Sequence, residues 1–539
     1  MSFDISINDT SISPSTSVRF LGVYLDPKLS GDRHMDHIIA KGKRVSAVLS
    51  ILRGTWWGAN PCLLLNIYLA MIRASFEYAS LIFALKRNQS TIKLQRIQNQ
   101  AIRLACGYRI STPINVMHAE TKLPLLKQRF ELLAARYFIR ILSIQEHPVT
   151  NILLDLIISL PNPGFNHYLN KNFLAALVFF RMWSHRNTLH TTPALPAYQN
   201  SFTSTVENAD FLSLPKAILN NLDDLPKHAV QLVFEEHFQT QLHNANVFYT
   251  DGSKVDDNTY VGSAVFSPQL NLEYMCKLSS YASIFTAEAW AIYNALLFIL
   301  HNRLKRAVIV SDSKSVLETL KGFRNKTNNY VVCYIRALIE ETKFNNSHIT
   351  FIWIPSHRGI KGYETADELA KRAIREGIDS NFKVPYSDLY IIPKRQLDRN
   401  FEDYLKQSSN HKGEFYFKNC YSQETKKPWF YDARLSRMLI TTMNRLRSNH
   451  YNLNHSLYRK NLIDDPSCPC GAPLQDLVHF VFHCPLTESH ASPLRTALQE
   501  LILEPTIDPH SSLILALNAA SPKLCRLFAS FGLANDRRL

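Results

Sequence analysis

The sequence predicts an α/β protein: a mixed five-stranded sheet with flanking helices, joined to mainly helical N- and C-terminal regions. Three observations carry the prediction. Between about residues 246 and 375, short runs rich in β-branched and aromatic residues alternate with longer apolar runs. Their order, β-β-β-α-β-α-β-α, describes a mixed sheet with helices packed on its faces. Before and after that window, apolar residues recur at helical spacing. The chain has 539 residues, room for about three units with sizeable cores.

The elements of the sheet follow in order. Asn246–Thr250 (NVFYT) reads as a strand broken by Asp251-Gly252-Ser253, and Tyr260–Phe266 and Leu272–Leu278 complete a meander of three. Ser283–Leu300 is a long helix, apolar nearly all round. Ala307–Ser311 (AVIVS) is a strand, with a helix from about Ser315. Ile349–Ile354 (ITFIWI) is the last strand, followed by a loop and a helix from about Glu364.

Around this core, Val18–Leu25 reads as a strand. Ile92–Leu104 is an amphipathic helix whose polar face carries Lys93, Arg96, Gln98, Gln100 and Arg103; Leu125–Leu142 is a second, with Lys127, Arg129, Arg136 and Arg140. Either face is a solvated helix surface or one that tracks phosphates. Pro161–Gly164 marks a loop, Thr192–Asp224 reads as a linker, and Leu435–Arg447 is a basic helical segment.

Composition narrows the function. The formal net charge of +15 favours polyanions, nucleic acid first among them, through phosphate neutralisation and counterion release. Nine cysteines, mostly far apart, are not a disulfide framework and suit a reducing compartment. The N-terminus has no signal-peptide pattern, and the most apolar stretch, Ile284–Leu300, reads as too short and too polar for a membrane span. The expectation is a soluble intracellular protein, cytoplasmic or nuclear, with no membrane partner.

Four acids stand where elements end or begin. Asp251 follows the first strand and Asp312 the fourth. If those strands are adjacent and parallel, both carboxylates emerge at one sheet edge. Glu288 shares a core-facing helix surface with Ile292 and Ala295, where an unpaired charge is costly and a cation supplies the partner. Asp367 reads as a first-turn acid of a helix whose packing stripe is Ala366, Leu369, Ala370 and Ala373. Singly, each has a plain structural explanation: Asp251-Gly252 as a hairpin turn, Asp312-Ser313 as a helix cap, Asp367 as a helix-dipole acid. Together they form a hard-oxygen site suited to Mg²⁺ or Mn²⁺. Phosphodiester hydrolysis uses two such ions about 3.5–4 Å apart, one at each of the attacking and leaving oxygens.

The motifs YTDGS (Tyr249–Ser253), TAEAWAI (Thr286–Ile292), VSDSKS (Val310–Ser315) and WIPSHRGIKGYETADELAK (Trp353–Lys371) resemble those of type 1 ribonuclease H. The resemblance implies hydrolysis of the RNA strand of an RNA–DNA hybrid, with Asp251, Glu288, Asp312 and Asp367 as ligands of two ions. It implies that His357, on a mobile loop, helps protons and product leave; the alternative is a solvated loop histidine. It also implies substrate contacts at Gly252, Ser253, Ser283 and Ser313. At Gly252 the absent Cβ would let backbone approach the RNA 2′-hydroxyls. Two positions depart from the family: Tyr363 stands where Asn is common, and Ile284-Phe285 where bacterial members carry polar residues.

Arg19–Ser30 (RFLGVYLDPKLS), Leu94–Arg109 (LQRIQNQAIRLACGYR) and Thr112–Leu126 (TPINVMHAETKLPLL) resemble, in order, the region after the palm of a LINE-type (non-LTR) retrotransposon reverse transcriptase. That family's polymerase needs an aromatic-x-Asp-Asp strand turn. The Asp-Asp pairs here, 223–224, 256–257 and 464–465, follow no such strand, so polymerisation is not expected. The implied organisation is a thumb-like remnant (1–145), a helical connection or linker (146–240), a ribonuclease H domain (241–380), a basic helical region (381–455), a Cys/His cluster (456–490) and a helical tail (491–539).

Within that cluster, Cys468, Cys470, His479 and Cys484 have the ligand chemistry of a closed structural Zn²⁺ site, with His483 competing for the histidine position. Pro466, Pro469, Gly471 and Pro473 supply tight turns. The alternative is buried free thiols, and C-x-C is tighter spacing than C-x₂-C. Retrotransposon polyproteins of this type often end in such a knuckle. The expectation is therefore a Mg²⁺- or Mn²⁺-dependent hybrid nuclease with a structural zinc site. The alternative is a catalytically silent nucleic-acid-binding remnant.

Overall fold

The computed structural model describes residues 5–7, 10–12, 15–54, 57–83, 89–158, 174–192, 209–222, 225–255, 259–322, 329–501, 508–536 and 539. The Pro161–Gly164 loop, the Asp-Asp pairs at 223–224 and 256–257, and residues 193–208 of the expected linker lie outside them. The chain divides into two units: Met1–Ala134 with Gly164–Ala175 and Arg395–Leu539, and Ala135–Pro163 with Ala176–Lys394.

The second unit holds a mixed sheet. Its elements are β1 (Ala209–Ser213), α1 (Lys227–His237), β2 (Asn246–Ser253), β3 (Val261–Ser267), β4 (Leu272–Leu278), α2 (Ile284–His301), β5 (Arg306–Ser311), α3 (Lys314–Lys321), α4 (Tyr330–Phe344), β6 (His348–Trp353), α5 (Lys361–Glu376) and β7 (Ile378–Asp379). The strand order is β7-β4-β3-β2-β5-β6-β1. β2-β3-β4 is an antiparallel meander, while β2, β5, β6 and β1 run parallel.

The five expected strands and their order are present, with two edge strands added. One, β1, falls inside the stretch read as a linker. Its sequence ADFLS is too short to show alternation by itself. Pairing with β6 from Ala209↔Ile349 to Ser213↔Trp353, and stacking of Phe211 on Phe351 with centroids 5.0 Å apart, make it a strand. α4 was not read from the sequence either. Its buried stripe Val331, Val332, Ile335 and Ile339 is interrupted by buried Arg336, whose Nη2 donates to the carbonyls of Thr319 and Gly322 at 2.7 Å each.

Helix α2 runs against β2 and β3. It is also long and apolar enough to cross a membrane, contrary to the expectation for Ile284–Leu300. Its buried residues Ala287, Ala291, Ile292, Ala295, Leu296 and Ile299 account for that composition as protein core. The opposite core joins α1 to the sheet and α5: Val230 and Phe234 pack with Val247, Val310, Ile352, Ile354, Ile360, Tyr363 and Ala366.

In the first unit, Val18–Leu25 is two short antiparallel strands, Val18–Phe20 and Val23–Leu25, because Leu21 and Gly22 turn the chain at positive φ. The helix Gln89–Cys106 buries Leu94, Ile97, Ala101 and Ile102, as the spacing predicts, but of the same apolar set Leu104 is half-buried and Ile92 exposed. Gln98, placed on the polar face by spacing, is buried: it accepts from the Tyr68 hydroxyl at 2.6 Å and donates to the Pro124 carbonyl.

The basic segment before Arg447 forms the helix Arg437–Arg447, and two of its arginines face inward rather than to solvent. Arg437 donates to the carbonyls of Arg53, Ala59, Leu104 and Ala105, so it satisfies orphan C-terminal carbonyls of the Gln89–Cys106 helix. Arg447 pairs with buried Glu120 at 2.6 Å and donates to the Leu517 and Cys420 carbonyls. With each of its three nitrogens directed at a partner, this charge is part of the interior.

Candidate active site

β2 and β5 are adjacent and parallel, in register from Asn246↔Ala307 to Thr250↔Ser311, so Asp251 and Asp312 each follow the last matched pair at the same sheet edge. Asp251 is not in a hairpin turn. It lies within β2, which continues to Ser253 and pairs Asp251 with Ala264. Asp312 is held from behind: the Trp353 indole Nε1 donates to its carbonyl at 2.9 Å, and the Lys314 amide does so at 2.8 Å.

Glu288 is brought in by close helix–strand packing. A Cβ on Gly252 would stand 2.7 Å from the Glu288 backbone nitrogen and 2.9 Å from Ala287. The glycine therefore admits α2 against β2. The Ser263 hydroxyl ties the same turn of α2 through the Ala287 carbonyl at 2.9 Å. Asp367 lies in the second turn of α5, since the helix starts at Lys361 and not near Glu364. Its Oδ2 meets Lys371 Nζ at 2.7 Å and His357 Nδ1 at 3.6 Å.

The acids act on one another. Burial first, then the charges of Asp312 and Asp367 and, more weakly, Glu288, push the Asp251 carboxyl up to about 7, against a hydrogen bond from Tyr363 that opposes the rise. Burial, with a smaller contribution from Asp312, also pushes Glu288 up to about 7, although the Ser313 hydroxyl donates to it. Asp312 Oδ1 is buried without a hydrogen-bond partner. A converging set of carboxylates, one with an orphaned buried oxygen, fits a hard divalent cation: it would complete the electrostatics and occupy the unused acceptor.

The expected substrate-contacting residues divide. Gly252 and Ser253 close β2, opposite Ser263 and Gly262. Ser283 caps α2, its Oγ accepting from the Thr286 amide at 3.2 Å, and its own amide donates to Asp388 Oδ2 at 2.9 Å. The Ser313 hydroxyl is committed to Glu288. His357 sits in the left-handed region at φ 57 with its side chain 65% exposed.

Three participants were not read from the sequence. Tyr363, flagged only as a departure, is 2% exposed and donates its hydroxyl to Asp251 Oδ1 at 3.1 Å. Lys371 could have been found as the i+4 partner of Asp367. Asp388 lies outside every motif. It accepts from the Ser283 amide and from the Thr286 hydroxyl at 2.6 Å, and Asn329 donates to that hydroxyl at 2.7 Å, so it anchors the start of the Glu288 helix.

The first unit carries a separate cluster. The ligand atoms of Cys468, Cys470, His479 and Cys484 all lie within 4.8 Å of one another. Cys468 Sγ and Cys484 Sγ are 3.7 Å apart, and Cys470 Sγ is 3.2 Å from His479 Nε2. Two thiolates at about 2.3 Å from one tetrahedral Zn²⁺ would be separated by about 3.8 Å, so the spacing suits that ion. The C-x-C spacing works because the chain turns back at Gly471 (φ 95), where the Cys468 amide donates to the Ala472 carbonyl. The competing ligand, His483, is exposed and outside the cluster.

Comparison with known families matches residues 243–375 to the family model described as RNase H. The match spans β2 to α5 and contains all four acids and His357.

Proposed function

We propose that the sheet-bearing unit hydrolyses the RNA strand of RNA–DNA hybrids endonucleolytically, with Asp251, Glu288, Asp312 and Asp367 holding two Mg²⁺ or Mn²⁺ ions. One observation carries the reading. Within a segment that matches the RNase H family, Asp251 and Glu288 are buried carboxylates with Asp312 as a shared neighbour, and burial, aided by that neighbouring charge, raises both to about 7. When bound, the ions supply charge stabilisation at the attacking and leaving oxygens.

The chain's own groups do the rest. Tyr363 fixes one oxygen of Asp251, Ser313 fixes one oxygen of Glu288, and Trp353 holds the backbone at Asp312. His357 is exposed beside Asp367, the place for a group that carries protons to water as product leaves. Backbone groups at Gly252 and Ser253 are the proposed contacts to RNA 2′-hydroxyls, with Ser283 and Ser313 as further proposed substrate contacts. Net positive charge favours the polyanionic substrate.

The motifs at residues 19–30, 94–109 and 112–126 support a wider setting: a protein of LINE-type retrotransposon origin, with a thumb-like segment ahead of the nuclease. The Cys/His cluster supports a structural Zn²⁺ site after it. The test is cleavage of end-labelled RNA in a hybrid by the purified full chain. Mg²⁺-dependent cuts in the RNA strand, duplex DNA left intact and abolition by Asp312→Asn are expected. Wild-type cleavage by Asp312→Asn would sink the mechanism. Hybrid binding with no cleavage in Mg²⁺ or Mn²⁺ would make the chain a binding protein instead.

A further inference from the structure

Helix α1 lies before the segment that matches the family, yet it meets the His357 loop and the first turn of α5 at three places. The Gln231 side-chain carbonyl accepts from the Lys361 amide at 2.9 Å, where the loop becomes α5. Lys227 Nζ lies 3.3 Å from Glu364 Oε1. Gly359, at φ 90, is packed flush on α1: a Cβ there would stand 2.5 Å from Lys227 Cβ and 2.9 Å from the Lys227 carbonyl. Beneath these contacts, Val230 and Phe234 of α1 share one apolar core with Ile354 and Ile360, the residues that bracket the loop.

We infer that α1 is a positioning element of the catalytic loop, restraining residues 355–361 so that His357 stays beside Asp367. The inference rests on the proposed role of His357 in hydrolysis. Of the three contacts, the Lys227–Glu364 pair is exposed and contributes little. The Gln231 bond acts differently. An amide of the first helical residue has no partner inside its helix, and Gln231 supplies one. His357 occupies a left-handed conformation that a non-glycine residue holds only when its surroundings enforce it. Anchoring at Gly359 and Lys361, on one side of His357, and burial of Ile354 on the other, provide that enforcement. The two ends of the loop are thus fixed by an element that a domain cut at the family boundary would lack.

The experiment uses the full chain with Gln231→Ala, Gly359→Ala, His357→Ala and the double variant Gln231→Ala/His357→Ala. It reads kcat and KM on a hybrid, and hydrogen exchange of a peptide covering 355–361. Gln231→Ala is expected to speed exchange in that peptide and to lower kcat about three- to tenfold with KM unchanged, the scale of one hydrogen bond. Gly359→Ala should act in the same direction. In the His357→Ala background, Gln231→Ala should add nothing, because both act through one group. Unchanged loop exchange and wild-type kcat in Gln231→Ala, beside a damaged His357→Ala, overturn the inference. So does full additivity in the double variant. Wild-type cleavage by His357→Ala overturns the premise about His357 instead, and is distinguishable because the exchange measurement reports the tether separately.

Discussion

The Tyr363 hydroxyl donates to Asp251 Oδ1 at 3.1 Å from a ring that is 2% exposed. The bond leaves the other carboxylate oxygen as the free acceptor and fixes the plane of the group. A partner of this kind orients a metal ligand without touching the metal. Burial, and then the charge on Asp251, holds the Tyr363 phenol far above its ordinary range, so it serves as a donor throughout the working pH range. Tyr363→Phe keeps the ring in the core and removes the donor. The expected result is a chain with near-native melting and a Mg²⁺ requirement for half-maximal cleavage raised about tenfold. A metal titration of cleavage, paired with direct Mn²⁺ binding by electron paramagnetic resonance, checks it.

Gly252→Ala tests the packing that delivers Glu288. The added methyl would meet the Glu288 nitrogen at 2.7 Å and the Ala287 carbonyl carbon at 2.9 Å, both backbone atoms of a helix that cannot yield locally. Helix α2 must shift, and Glu288 with it. The expected cost is about 1–3 kcal/mol of stability, and cleavage should fall more than stability does. Thermal denaturation alongside kcat measures the two effects. Stability loss with unchanged cleavage would show that Glu288 tolerates displacement.

Much of this site could be read from the chain, for reasons that differ by residue. Asp312 was legible because strand periodicity locates the end of β5; Asp251 was placed beside it because β2 and β5 are parallel neighbours, although β2 itself continues two residues past Asp251. Glu288 was legible as an acid on an apolar helix. Asp388 was not, because its partners, Ser283 and Thr286, are over a hundred positions away and no periodicity links them. Strand β1 was hidden for the same reason: it is made by pairing with β6, not by its own pattern. Arg437 and Arg447 were legible only as charges on a basic helix; the carbonyls and Glu120 that surround them, far off in sequence, explain their burial.

The raised carboxyls make stability depend on pH. Asp251 and Glu288 both titrate near 7 in the folded chain, against ordinary values of 3.8 and 4.5. A folded-state value above the unfolded one means that the native state binds protons more tightly. Stability from this source is complete below about pH 4 and is lost as pH rises through 7, by an amount on the order of a few kcal/mol. Mg²⁺ should reverse the loss, because it replaces the protons. Differential scanning calorimetry in chelator should show the sheet unit melting lower at pH 8 than at pH 5, with millimolar Mg²⁺ stabilising more at pH 8. A metal effect that is equal at both pH values would contradict the linkage.

The Cys/His cluster gives the last test, because its geometry chooses between two histidines. His479 Nε2 is 3.2 Å from Cys470 Sγ, whereas His483 is exposed and outside the group. Burial pushes the Cys468 thiol up to about 11, with the Cys470 amide opposing the rise and the Cys470 and Cys484 side chains adding to it, so without metal it is protonated at neutral pH. Zinc loading must therefore release protons, and affinity must fall in acid. The full chain purified without chelator should carry one zinc by elemental analysis. His479→Ala and Cys484→Ser should lose most of it, while His483→Ala should keep it. Because Cys468 and Cys484 are buried, as are Leu477, Phe480 and Val481 between them in sequence, metal loss should also loosen the packing of that segment. Hydrogen exchange of residues 466–484 in strong chelator would register this as faster exchange. Full zinc retention by His479→Ala together with loss in His483→Ala would reverse the ligand assignment.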